Sequence, residues 1–454
     1  MRRLITTTLS ALVLAACGGG GSGDPAAPAG GEGGLSRALQ AADAADVGAD
    51  VVVMLQPGAS AAAVAQSVGA SVIDQFGKRP IYRLHLPSAA AMDEALAALQ
   101  RDARVRFAEA NEVSETPESR YSVVWAYGES AAGYASQWAP QALALAQAHA
   151  WSTGAGVRVA VLDTGIDAAH PAFAGRLARD GSGRLLARDF VDADDDPAEA
   201  GAVGDRGYGH GTHVAGLVLL AAPQARLMPV RVLDAQGRGN VWVLAEALMW
   251  AVDPDGDPRT DDGAHVVNIS LGTTRATRLL NSAVELATCS DDDENEDDDD
   301  YSDPGFDDDR ERCNLHGGVV VMAAAGNGGS ASEVNYPAAE GAEGQLAITA
   351  GADGARLASF ANRGPWVQLA APGERIVSTF PGGAYAGLSG TSMATPLASG
   401  VAALLLARQP DWKPVDVTQR LLDRSQALCD GGPLRALHAW GAVADFVPAD
   451  PVCR

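Results

Sequence analysis

Five short apolar runs constrain the fold most: "VRVAVLD" (157–163), "ARLMPVRVLD" (225–234), "AHVVNISLG" (264–272), "GGVVVMAAAGNGG" (317–329) and "GQLAITAGA" (344–352). A strand with one wet face alternates apolar and polar residues, whereas an uninterrupted apolar run fits a strand buried on both faces, as in a parallel sheet. Glycine-rich loops and helical stretches such as "GYGHGTHVAGLVLL" (207–220) and "NVWVLAEALMWAV" (240–252) separate the runs. Strand, loop and helix in alternation predict an α/β domain: a mostly parallel sheet with helices on both faces. Hydrophobic residues make up 47% of the 454, ample for a large core. A formal net charge of −24 argues against a nucleic-acid partner, which needs clustered Lys and Arg.

Three residues stand where such a fold collects chemistry. Asp163 ends the run "VRVAVLD", and the carboxyl ends of parallel strands are where ligands gather. His210 lies where a glycine-rich loop enters an apolar helix. Ser392, in "GLSGTSMATPLASG" (387–400), falls where a tight loop becomes a helix, so unpaired N–H groups and the positive end of the helix dipole lie beside its hydroxyl. Taken alone, Ser392 reads more readily as an N-cap, and Asp163 as a residue capping a turn.

Together the blocks remove that ambiguity. "VAVLDTGID" around Asp163, "GHGTHVAG" around His210 and "SGTSMATP" around Ser392 resemble, in order and context, the signature blocks of subtilisin-like serine proteases, and "AAAGN" ending at Asn327 resembles a fourth. The resemblance covers residues 137–443 and implies a serine-type endopeptidase acting on polypeptides through an acyl-enzyme. Ser392 would be the nucleophile, His210 the base and later acid, and Asp163 the group that orients the imidazole. The Asn327 amide and the Ser392 backbone N–H would form the oxyanion hole, with Thr391 assisting. The same resemblance implies a substrate-pairing segment at Ser270, Leu271 and Gly272, and an opposite pocket wall at Ala324, Ala325 and Gly326. Both walls and Gly328 are uncharged, which favours an apolar or broad preference over a basic one. His213, without accompanying ligands, reads as a packed structural histidine.

The remainder divides into further units. Residues 1–16 read as a signal peptide, and "LAAC" resembles a lipobox, which implies lipidation at Cys17 and attachment to an outer membrane or cell surface. Residues 17–46 are a Gly/Ala/Pro-rich tether. Residues 47–114 show a βαββαβ order and resemble the inhibitory propeptide of the same family. Residues 115–136 read as an exposed linker holding the processing site, 137–445 as the catalytic domain with an acidic insert at 289–313, and 446–454 as a tail. Cutting in the linker would release the protease from its anchor, and nothing suggests more than a monomer.

Neighbouring cysteines pair most simply as Cys289–Cys313 and Cys429–Cys453, in an exported context that permits disulfides. The chemistry requires no cofactor. Ala172 stands after His170-Pro171 where the family's calcium-binding members carry an aspartate, which argues against their usual tight site. The loop "DPDGDPRTDDG" (253–263) leaves a structural calcium open, with Asp253, Asp255 and Asp257 as candidate ligands. Two other readings are a catalytically silent relative that binds through the same surface and a cation-binding surface lipoprotein.

Overall fold

The computed structural model describes residues 47–121, 125–289, 314–353 and 355–453. Cys17, the tether, Cys313 and nearly all of the acidic insert lie outside these residues.

The first unit runs β1 (Asp50–Leu55), α1 (Ala61–Ser67), β2 (Ser71–Gln75), β3 (Ile81–His85), α2 (Met92–Leu99) and β4 (Val105–Ala110), the order expected from sequence. Its antiparallel sheet is ordered β2-β3-β1-β4. Central β1 is buried at every position, which an antiparallel strand needs only if both faces are covered. Val51, Val53 and Leu55 pack with Val64, Leu84 and Leu99 in the unit's own core. Val52 and Met54 face the other way and join Phe76 and Ile81 against Trp242 and Leu244 of the following domain.

The next elements are β5 (Val113–Glu115), the single helical turn α3 (Pro117–Arg120), β6 (Ala126–Glu129), α4 (Ala131–Ser136), α5 (Trp138–Ala142), α6 (Leu145–His149), β7 (Arg158–Asp163), β8 (Arg188–Asp189), α7 (His210–Ala221), β9 (Arg226–Arg231), β10 (Arg238–Asn240), α8 (Val241–Val252), β11 (Val266–Ile269) and α9 (Arg278–Thr288). They are followed by β12 (Val320–Ala324), β13 (Gln345–Ala352), β14 (Arg356–Leu357), β15 (Leu369–Pro372), β16 (Ile376–Phe380), β17 (Ala384–Leu388), α10 (Thr391–Leu406), α11 (Pro414–Asp423), β18 (Gln426–Ala427), β19 (Arg435–Ala436) and α12 (Ala439–Ala444).

The main sheet is ordered β18-β19-β15-β13-β12-β11-β7-β9-β8, and its neighbours from β19 through β8 are parallel. Alternate residues of β7 serve two cores. Val159 and Val161 pack with α7 and α10, while Ala160 and Leu162 pack with α8 and α9. The order reverses at β7, which lies between the later strands β9 and β11, so Asp163 ends at a switch point where the connections diverge.

The first unit caps two helices of the second. Glu109 accepts the N–H groups of Arg278 (2.8 Å) and Leu279 (3.0 Å) at the start of α9. Asn111 Oδ1 accepts the N–H of Trp242 in the first turn of α8 (3.0 Å). Burial raises the Glu109 carboxyl above its ordinary value despite these donors. Glu109→Ala in an uncut Ser392→Ala chain should lower stability by about 1–2 kcal/mol, the usual worth of an N-terminal cap. Denaturant titration checks the loss, and hydrogen exchange should localise it to the first turn of α9.

One expectation needs revision. Residues 115–120 are not exposed: Thr116 is 0% exposed, and Pro117, Glu118 and Ser119 are also buried. β5 pairs antiparallel with β10, Glu115 exchanges N–H···O bonds with Gly272, and Thr116 N–H bonds Gly237 O, so the backbone is paired in a cleft and not solvated. The exposure expected of the linker is found further on, over β6. Among the cysteines, Cys429 and Cys453 form the expected disulfide, with Cα atoms 5.4 Å apart.

Candidate active site

The site lies at the carboxyl edge of β7. The Asp163 side chain accepts the Thr164 N–H at 2.8 Å and lies 2.7 Å from His210 Nδ1. α7 approaches the Asp163 turn so closely that a Cβ at Gly211 would stand 2.1 Å from Gly165 O and 3.1 Å from Asp163 Cβ. Glycine there is a requirement of the aspartate–histidine contact. Behind the pair, half-buried Glu199 accepts the N–H of Thr212 (2.9 Å) and Gly209 (3.1 Å) and the hydroxyls of Thr212 and Thr164, tying the start of α7 to the Asp163 loop.

Ser392 occupies the first turn of α10, and its position depends on Pro396. Proline has no N–H for the carbonyl four residues earlier, which is that of Ser392. Ser270 Oγ donates to that carbonyl at 3.1 Å, and Ser392 Oγ lies 3.1 Å from Ser270 O. Asn268 and Ser399 extend the buried network behind them. Opposite, Asn327 Oδ1 accepts the Thr391 N–H (2.9 Å) and hydroxyl (3.0 Å), which turns its amide N–H₂ into the cleft. Thr391 thus orients Asn327.

One group missed in the sequence sits at the centre. The carboxylate of Glu118, on α3, accepts Ser392 Oγ–H at 2.6 Å and the Asn327 amide at 2.9 Å, and it lies 3.3 Å from His210 Nε2. Ser392 and His210 both turn to the same oxygen, Oε2. Gly390 makes room for the carboxylate, since a Cβ there would fall 1.7 Å from Glu118 Oε1. Burial works against the charged imidazolium, but Asp163 on one side and Glu118 on the other outweigh it and raise His210 to about 10. Burial likewise opposes ionisation of Glu118, and His210, Ser392 and Asn327 outweigh it, holding the carboxyl below its ordinary value.

The chain's path explains why a side chain arrives there. Glu115 is paired with Gly272, so an extended continuation would carry the backbone of residue 117 past Ser270 to Ser392. Pro117 has no N–H to continue the ladder and instead opens a helical turn capped by Thr116, whose Oγ1 accepts the Ser119 N–H at 3.2 Å. The backbone bends away and the Glu118 side chain reaches in. Thr-Pro before Glu was a readable helix-start signal inside what otherwise looked like a polar break.

Of the remaining expected residues, Gly272 and the segment 324–326 lie around this centre. Gly272 pairs with the incoming strand, while Ala324 O and Ala325 O accept the amides of Asn335 (2.7 Å) and Asn362 (3.0 Å). Gly326 N–H bonds Thr391 Oγ1 at 3.1 Å. His213 is buried, donates toward Ala386 O and packs edge-on against Trp125; burial lowers it to about 3, consistent with a structural role. In the acidic loop, Asp257 turns to Arg259, and the carboxylates that converge within 4.8 Å are Asp253, Asp255 and Asp262. Burial, then the charges of Asp262 and Asp255, raise the Asp253 carboxyl, and its Oδ1 has no hydrogen-bond partner. These oxygens suit a hard cation but supply only part of calcium's usual six to eight ligands.

Residues 154–441 match the model of the subtilase family, peptidase S8, and residues 40–111 match that of the fervidolysin N-terminal prodomain. Subtilisin BL of Lederbergia lenta is 36% identical over 285 residues, 61% of this chain and 86% of that protein. Subtilisin E of Bacillus subtilis is 34% identical over 281 residues, 59% of this chain and 60% of that one. The crystal structure of fervidolysin from Fervidobacterium pennivorans shares the fold, with a TM-score of 0.63 at 22% identity, over 88% of this chain and 61% of that one. With the family model matched across the whole catalytic sheet, this chain belongs to the subtilase family and is a serine endopeptidase preceded by a fervidolysin-type prodomain.

Proposed function

We propose that Asp163, His210 and Ser392 form the catalytic triad and that Asn327 and the Ser392 N–H form the oxyanion hole. The carrying observation is the convergence of Ser392 Oγ, His210 Nε2 and the Asn327 amide on one carboxylate, beside a 2.7 Å bond between His210 and Asp163. With Glu118 withdrawn, a substrate strand pairs with β10 and Gly272, as β5 does, and delivers a carbonyl to Ser392. His210 takes the hydroxyl proton as Oγ adds to the carbonyl carbon, and Asp163 holds the imidazole and balances its charge. Asn327 donates to the oxyanion. The proton then passes to the leaving amine, the C–N bond breaks, and water repeats the sequence on the acyl-serine. Binding and positioning come from the Gly272 edge and from the walls at Ser270–Gly272 and Ala324–Gly326.

The intact chain is a latent form, with residues 113–118 as its inhibitor. We place the protein outside the cytoplasm, tethered through a lipid on Cys17 until the segment between the prodomain and α4 is cut, and we take the enzyme to be a monomer. A calcium ion, where bound, would be held by Asp253, Asp255 and Asp262 and would stabilise the loop without entering the chemistry. A fluorophosphonate probe tests the triad: it should modify Ser392 in processed protein, lose that reaction in His210→Ala, and react only slowly with the uncut chain. Labelling that is unaffected by His210→Ala would sink the assignment.

A further inference from the structure

The segment that blocks the active site also inserts a second side chain. Arg120, at the end of α3, folds back over Gly272: its Nη2 donates to Gly272 O at 3.0 Å, its Nη1 to Asn335 Oδ1 at 3.4 Å, and its Nε to Glu115 Oε1 at 2.6 Å. Asn335 joins the two pocket walls. Its amide donates to Ala324 O, and a Cβ placed on Gly272 or Gly326 would meet it at 2.6 Å or 3.5 Å. Asn335 is 1% exposed, so its Oδ1 is a buried acceptor facing the slot between the walls. The Arg120 side chain, only 17% exposed, fills the slot's Gly272 side.

A carboxylate lies beside the residue that follows Asn327. A Cβ on Gly328, the residue after Asn327, would come within 2.6 Å of Glu333 Oε2, and Glu333 accepts the hydroxyl of Tyr121, the residue after Arg120. The walls are uncharged, as their sequence indicates, but the carboxylate and the amide oxygen come from the irregular segment at residues 333–335. An apolar side chain in this slot would leave the buried Asn335 oxygen without the donor a guanidinium supplies, and an unsatisfied buried acceptor discriminates strongly; the Gly272 carbonyl, which the Glu115 N–H also reaches, would lose its second donor.

We propose that the primary specificity pocket is built for arginine, with Asn335 as the residue that selects it and Arg120 as its occupant in the latent chain. Substrates would be polypeptides with arginine immediately before the scissile bond. The guanidinium's planar fork reaches the two acceptors from two different nitrogens; lysine's three donors radiate from a single nitrogen and do not match that spread.

The inference rests on the serine endopeptidase reading, and the test separates them. Processed enzyme, its active fraction counted by fluorophosphonate labelling of Ser392, is given peptides that differ only in the residue before the scissile bond: arginine, lysine, leucine or phenylalanine. Arginine should exceed leucine and phenylalanine at least about 10-fold in kcat/KM and exceed lysine by less. Asn335→Leu should erase the arginine preference, with kcat/KM expressed per Ser392 labelled by the fluorophosphonate. Because that variant removes a buried amide, Asn335→Asp serves as a second one: it keeps the acceptor, adds charge, and should widen the margin of arginine over leucine. A labelled enzyme that cuts the leucine peptide as well as the arginine peptide overturns the pocket assignment and leaves the peptidase standing. An arginine preference that survives Asn335→Leu overturns the role of Asn335. Protein that is never labelled overturns the endopeptidase reading, and the pocket assignment falls with it.

Discussion

Replacing Ser392 by alanine should leave the chain as one uncut species and lower peptide hydrolysis about 10⁶-fold, the loss known for the corresponding serine of subtilisin. The expectation follows from the geometry of α10. Pro396 frees the Ser392 carbonyl, Ser270 captures it, and the Ser392 hydroxyl is thereby held at the mouth of the cleft beside His210 and Asn327. Among the described residues, no other hydroxyl bonds the Glu118 carboxylate. Residual activity over water would come from the oxyanion donors and binding alone. The measurement is an immunoblot of wild type and variant expressed in a host lacking other extracellular proteases, with active-site-titrated kinetics on a peptide. A shortened variant appearing at the wild-type rate would show that the cut is made by another enzyme.

Replacing Glu118 by alanine should unblock the latent form. Net hydrogen bonds involving a charged group are each worth about 1.5–3 kcal/mol and are not additive when they share one carboxylate. Taking about 4 kcal/mol for the three gives roughly a 10³-fold shift toward the open cleft. Fluorophosphonate labelling of the uncut chain should quicken by about that factor, and Glu118→Gln, which keeps the shape but not the charge, should fall between. An unchanged labelling rate in Glu118→Ala would mean that the β5 pairing alone closes the site.

The same contact carries a pH signature. His210 is raised in the blocked state, so its contribution to closure is complete below its ordinary value of 6.5 and is lost as the pH rises through about 10. Glu118 is lowered, so its contribution is complete above its ordinary 4.5 and is lost as the pH falls beneath its shifted value. Part of the His210 shift belongs to Asp163, which stays in place when the segment leaves; only the share due to Glu118 changes. Closure should therefore be tightest between 4.5 and 6.5, and labelling of the uncut chain should accelerate toward about 10. Glu118→Gln should flatten that profile, and a profile identical to wild type would remove Glu118 as its source.

Much of this protein was legible without coordinates because its chemistry is written locally. Asp163 closes a doubly buried strand, His210 opens α7 after a left-handed glycine, and Ser392 opens α10 after Gly390, so each lies at a junction that periodicity reveals. The βαββαβ order of the first unit was equally plain, since its helices and strands have distinct periods. The buried character of β1 also shows in "VVVML", though the reason for its second apolar face, the docking onto Trp242, does not.

What the sequence by itself determined, then, is which elements form and which candidate residues stand at their junctions, because strand burial, helix starts and close-approach glycines are properties of a few adjacent residues. Tertiary structure alone decided what those residues meet. Glu118 reaches Ser392 across 274 positions and Asn327 across 209, and Arg120 reaches Asn335 across 215. Asp262, and not Asp257, stands in the acidic cluster, and Asp257 is turned to Arg259. Such partners leave no periodic trace: a polar residue in a short irregular segment looks the same whether it faces water or closes an active site, and only the folded path of the backbone determines which.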